Sequence, residues 1–242
     1  MIVRPAEGWL YLITQPDHAA LARRVMEHWG PLHDADRRAS VLHAVGEHDN
    51  GWRELDDAPS ADSAGRVYDF VHIPAPTRQA VWPRGVARLA ADPWAAALVA
   101  HHAITVYERY RPDEQWAGFF PQLQHLRDLQ VDAAGGTLEQ LVSDYAYVRL
   151  GDLISLMFCT GWSQEQTFDR WTIHLDGDRV RVTSAAVPGS AESADPFEGR
   201  EIPIAVAARL IPDAPVASDA VLRETLRLAP LVWLHGAVSG GL

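Results

Sequence analysis

"AVGEHDNGWRE", residues 44–54, sets a histidine and an aspartate side by side where an apolar run ends. Val41 and Val45 precede His48 by two helical turns and one, so His48 continues a stripe that faces a core. The pattern predicts a helix over about residues 37–49 that stops near Gly51. Asp49 stands one step around that helix. A buried carboxylate is very costly unless it is paired, so the His48-Asp49 pair requires partners from elsewhere in the chain.

Three further helical stripes supply them. His18 shares a face with Leu21, Ala22, Val25 and Trp29 on a helix over about residues 15–29, with Pro16 tolerated in the first turn. His101 and His102 adjoin Leu98 and Val106 on a helix over about residues 93–110. Asp152 aligns with Tyr145, Val148 and Leu156 on a helix over about residues 138–160. Each has a plainer explanation by itself. A lone inward His is commonly a hydrogen-bonded core residue, Asp49 can sit in solvent at a helix end, and Asp152 can pair with Arg149. Together they can satisfy one another around a divalent metal, as facing helices of a bundle do. Neutral imidazole nitrogen and carboxylate oxygen suit Mn, Fe, Co or Zn.

The rest of the chain sets the frame. A short strand, "WLYLIT", opens it, residues 51–80 read as a long loop suited to a lid, and a helix covers about residues 115–130 before the break "DAAGG". From residue 170 the text alternates: "RWTIHLDGDRVRVTSAAV" reads as a hairpin turning at Asp176-Gly177. "EIPIAVAARLIP" and "LVWLHGAV" add strands, and Ser218 caps the helix "DAVLRETLRLA" between them. The expected fold is mainly α, a helical bundle over residues 1–165 with a small β-rich C-terminal part over residues 166–242, α+β overall.

With 242 residues and a net charge of −11, the surface repels polyphosphate chains, so no long nucleic acid is expected as a partner. No run of about 18 apolar residues implies a membrane span, and no secretory leader is expected, which points to the cytoplasm. The single cysteine, Cys159, reads as a buried small hydrophobe. Trp29, Trp94 and Trp171 fit core stripes. Neither a phosphate-binding Gly-rich loop nor a Gly-x-Ser-x-Gly elbow is present.

The order His18, His48-Asp49, His101-His102, Asp152 resembles the signature of the HD-domain superfamily of metal-dependent phosphohydrolases. "YVRLGDLISLMFC" around Asp152 looks like its last motif. The segments "QPDHAALA", "HDNGWRELD" and "DPWAAALVAHHA" also resemble a bacterial family of unknown function, over most of the chain. The HD resemblance implies an HD-like helical fold and the metal ligands His18, His48, Asp49 and Asp152. It implies a further role for His101 or His102, toward a second metal or a substrate phosphate. Adjacent helical residues diverge by about 100°, so only one of the two enters the ligand shell. The sequence departs from the superfamily in carrying its middle histidines side by side and in its C-terminal third.

The expected function is a metal-dependent phosphohydrolase on a small anionic or phosphorylated compound. Asp49 bridges or steers water, and a protonated His101 or His102 stabilises charge on the phosphate. Trp52, Arg53 and His72 are the candidate substrate-binding residues; for each, packing or a surface ion pair is the plainer role. A di-iron oxygenase and a non-catalytic metal-binding protein are the alternatives. The C-terminal part leaves room for a homodimer.

Overall fold

The computed structural model describes residues 1–32, 36–184 and 195–241. Residues 185–187 of the expected hairpin lie outside the described residues. Two antiparallel strands, β1 (Ile2–Ala6) and β2 (Trp9–Ile13), open the chain and lead into α1 (Gln15–Met26). Thr14 caps α1 by accepting the Asp17 N–H at 3.1 Å. Then come α2 (Arg38–Glu47), the short α3 (Arg53–Asp57), α4 (Ala75–Arg88), α5 (Pro93–Tyr107), α6 (Phe119–Ala133) and α7 (Leu138–Thr160). Asp92 caps α5, and Thr137 with Gln140 forms a capping box at the start of α7. The remaining elements are β3 (Gln166–Phe168), β4 (Trp171–Asp176), β5 (Arg179–Ser184), β6 (Glu201–Pro212), α8 (Asp219–Leu228) and β7 (Leu231–Gly240).

The expectation of an HD-like helical bundle with a small C-terminal β part is corrected here. All seven strands join one mixed sheet in the order β1-β2-β6-β7-β5-β4-β3, and the N-terminal strands belong to it. The joint is β2 on β6, antiparallel, from Trp9 opposite Pro212 to Leu12 opposite Arg209. Neighbouring strands are antiparallel except β5 beside β7. The 12-residue β6 organises this sheet. Its Ile202, Ile204, Val206 and Ala208 point to one face and are buried under the helices. Ile211 faces the other side, with Leu10, Leu12 and Leu222 of α8.

The helices pack on the first face. α1 lies against β6 and between α2 and α7, and α5 lies against α2, α4, α6 and α7. Trp29 closes this layer, edge-on to Trp171 at 4.8 Å and to Phe197 at 5.5 Å. Two glycines permit the approaches that matter for the site. A Cβ on Gly151 of α7 would stand 3.0 Å from both Met26 and Val45, so α7 crosses α1 and α2 closely at that residue. A Cβ on Gly51 would land on the Val81 carbonyl, so the turn after His48 rests directly on α4. Among the described residues no helix is long and apolar enough to cross a membrane.

Candidate metal centre

Four elements deliver the pattern residues to one buried point. His18 comes from the first turns of α1, His48 caps the C-terminus of α2, His102 lies on α5 and Asp152 on α7. Asp49 lies just past α2, with φ −111° and ψ 18°. Leaving the helix at Glu47 lets two adjacent side chains face the same point, where helical neighbours would diverge by about 100°. All five residues are between 0% and 7% exposed.

The polar atoms converge. His18 Nε2 and His48 Nε2 stand 3.0 Å apart. Asp49 Oδ2 lies 3.3 Å from the first and 3.6 Å from the second. Asp152 Oδ1 lies 3.6 and 3.5 Å from the same two atoms. His102 Nε2 is 3.9 Å from the other oxygen of Asp152. Two groups, His18-His48-Asp49 and His48-His102-Asp152, each hold donor atoms within 4.8 Å of one another and could hold a metal ion.

The outer hydrogen bonds fix which ring atoms face inward. His48 Nδ1 lies 2.7 Å from the Val45 carbonyl, which can only accept, so Nδ1 carries the proton. Ser155 Oγ lies 2.8 Å from His18 Nδ1. Its single hydrogen is directed to the Gly151 carbonyl at 2.9 Å or that of Asp152 at 3.0 Å. The hydroxyl therefore accepts from His18 Nδ1–H. Once His48 gives up a second proton, both Nε2 atoms turn lone pairs toward two carboxylate oxygens, and four lone pairs meet. Such a meeting needs positive charge at its centre. Ligands about 2.0–2.2 Å from a common ion stand about 3.0–3.5 Å from one another, close to the separations found here. The donor set thus fits a divalent ion, and second-sphere bonds from ligand imidazoles to a carbonyl and a hydroxyl are usual for one.

The protein's own charges tell the same story. Burial opposes charge on His48, but Asp49 and Asp152 outweigh it and raise its pKa to about 9. Burial would lift both carboxyls; instead His48 and His18 hold Asp49 low, and His48, His102 and Arg149 hold Asp152 far below the carboxylate range. Arg149 donates to Asp152 Oδ2 at 2.6 Å, which leaves Oδ1 for the cluster. Burial pushes His102 down to about 3. Its Nδ1 lies 3.2 Å from the Tyr145 hydroxyl.

A cavity of about 300 Å³ opens over the cluster, with Asp49, Asp152 and His102 in its lining. Trp52 joins its wall and is buried. The other expected residues stand elsewhere. Arg53 pairs with Glu47 at the surface at 2.8 Å. His72 is exposed and pairs with Asp69 at 2.8 Å. His101 turns away from the cluster, edge-on to Tyr145 at 4.7 Å, and burial with Arg127 pushes it down to about 4. Burial pushes the Cys159 thiol up, as for a core residue. Sequence reasoning missed Ser155, Gln15, Arg78 and Arg109. Ser155 was within reach, three residues after Asp152 on the same helical face.

A buried His/Asp centre inside a helical layer that packs on a mixed sheet is the class that fold and site define. The profile of the family described as "Protein of unknown function (DUF3891)" matches residues 1–213, and the chain belongs to that family. No curated protein and no solved structure matches it. The likeness to the HD-domain superfamily has no counterpart in these comparisons.

Proposed function

We propose that this protein is a metal-dependent hydrolase acting on a small anionic compound, of which a phosphorylated one is the leading candidate. The observation that carries the reading is the convergence of four buried lone pairs, from His18, His48, Asp49 and Asp152, at the base of a ligand-sized cavity. The order of these residues along the chain, and the stretch around Asp152, resemble the HD-domain ligands and last motif. His18, His48, Asp49 and Asp152 would hold the ion, with His102 beside them. Such an ion supplies a water acidified toward neutral pH and polarises a phosphoryl oxygen. The chain's own groups do the rest. Ser155 and the Val45 carbonyl hold the two imidazoles in the ligating tautomer. Arg149 sits at the cavity wall beside Asp152, where it can meet an anionic oxygen. Trp52, Trp82 and Leu156 exclude bulk water from the base of the cavity.

Elemental analysis of the purified protein, beside the Asp49→Ala variant, tests this. About one or two equivalents of Mn, Co or Zn, lost in the variant, support the hydrolase. Two irons with an absorption band would favour the oxygenase alternative. No metal after reconstitution, or normal metal in the variant, removes the proposal.

A further inference from the structure

The cavity has a second polar end that the His/Asp cluster does not account for. Arg78 of α4 lies over the rings of Tyr107, Tyr110 and Trp116, its guanidinium carbon 5.9, 5.1 and 5.4 Å from their centroids. Arg109 lies over Tyr110 at 4.8 Å. Both guanidinium groups donate to one acceptor, the Tyr110 hydroxyl, at 3.2 and 2.9 Å. Neither has a carboxylate partner among the described residues, in a chain whose acidic residues outnumber its Lys and Arg by 32 to 21. The Nε of Arg78 is shielded from solvent and has no hydrogen-bond partner. Both arginines line the cavity. Guanidinium groups pre-set against aromatic faces and short of acceptors are suited to bind a carboxylate or phosphate oxygen pair.

The space between the two ends is apolar and flat-walled. Ring contacts step from His102 to Trp82 at 5.7 Å, and from Trp82 to Tyr107 at 5.8 Å, which brings the wall to Arg78. Phe70, Val71 and Val106 complete it. Three buried groups of lining residues also lack partners, the Gln15 side-chain oxygen and the ring N–H groups of Trp52 and Trp82.

We propose that Arg78, with Arg109 beside it, forms an oxyanion subsite, and that the ligand is a small two-ended organic acid. Its apolar body fills the cavity, one oxyanion rests on Arg78, and a second anionic group meets the Asp49–Asp152 end. This rests on the cavity being the chamber of the proposed centre; the chemistry of the arginine subsite does not itself need an ion.

The test compares two stable probes, phenylphosphonate and 4-carboxyphenylphosphonate, by titration calorimetry on the purified protein, with its metal content measured in parallel. The added carboxylate should tighten binding about tenfold or more, since a charge-assisted bidentate contact is among the strongest available. In Arg78→Met that advantage should fall to less than about twofold, with metal content unchanged and phenylphosphonate binding retained. Arg109→Met, at an exposed position where misfolding is not at issue, should lose part of the advantage. Equal binding of the two probes to the native protein overturns the subsite, as does an advantage that survives in both variants. Equal loss of both probes in Arg78→Met would put the phosphonate on Arg78 and overturn the two-ended assignment. A carboxylate advantage in protein that holds no metal would support the subsite while the hydrolase reading fails.

Discussion

Replacing Ser155 with alanine removes one oxygen atom from the core and leaves every proposed ligand in place. The hydroxyl is 1% exposed and is the acceptor for His18 Nδ1–H at 2.8 Å. Without it a buried donor is stranded, at about 1–3 kcal/mol, and the imidazole is free to turn its lone pair from the cluster. Loss of a partner of this kind weakens metal affinity by about 10–100-fold. The assay is competition against a chromophoric chelator, with circular dichroism to show that the helices persist. A chain of this length shifts its Tm by about 2–4 °C per kcal/mol, so the variant should melt about 2–12 °C lower in excess chelator. Native-like metal affinity in a folded Ser155→Ala protein would refute the tautomer assignment, and with it the claim that His18 Nε2 is a ligand. A lowered Tm without any measurable metal binding in either protein would mean that a proton alone holds the cluster.

Acidity should govern uptake. His48 has a pKa raised to about 9, so it is protonated at pH 7 and that proton must leave as metal enters. Apparent affinity should rise about tenfold per pH unit below the pKa and flatten above it; calorimetry in buffers of different ionisation enthalpy would show about one proton released, and a flat profile would contradict a His48 that is protonated before metal enters. Gly151→Ala places a Cβ 3.0 Å from Met26 and Val45, tight enough that both side chains must shift, and should cost about 1–3 kcal/mol in chemical denaturation while displacing Asp152. A neutral result there would mean that α1 and α7 can separate freely. Arg53→Ala and His72→Ala remove only surface pairs, worth about 0–1 kcal/mol each. Both should retain native metal content; a loss in either would draw the site wider than the cavity.

Periodicity exposed the cluster because each of its members interrupts a buried helical stripe, and a polar residue on such a stripe is conspicuous. It could not choose between His101 and His102, since neither neighbour is marked by spacing; the packing of α5 on α2 and α7 brings His102 to the cluster. The sheet was misjudged for a different reason. "WLYLI" is a strand by composition, but its partner lies about 200 residues away on β6, and register across that separation leaves no local trace. Prolines hid α4. Pro74 and Pro76 fell in the stretch read as loop, yet Val81, Trp82 and Val86 are buried on a helical face, and Pro83 sits inside the helix. The arginine subsite was out of reach because Arg78 and the rings that cage it, Tyr107, Tyr110 and Trp116, belong to segments whose meeting is set by tertiary packing.

The β2–β6 joint has a consequence for the order of events during synthesis. His18 stands five residues past the end of β2, and β2 reaches its sheet position only by pairing with Arg209–Pro212. A ribosome that has released Asp152 has delivered every proposed ligand, yet it has not delivered the strand that anchors the first of them. The centre therefore assembles late, after translation has passed β6, and its closure belongs to the slow, non-local phase of folding. A nascent chain should therefore complete the His/Asp cluster only after Pro212 has been made.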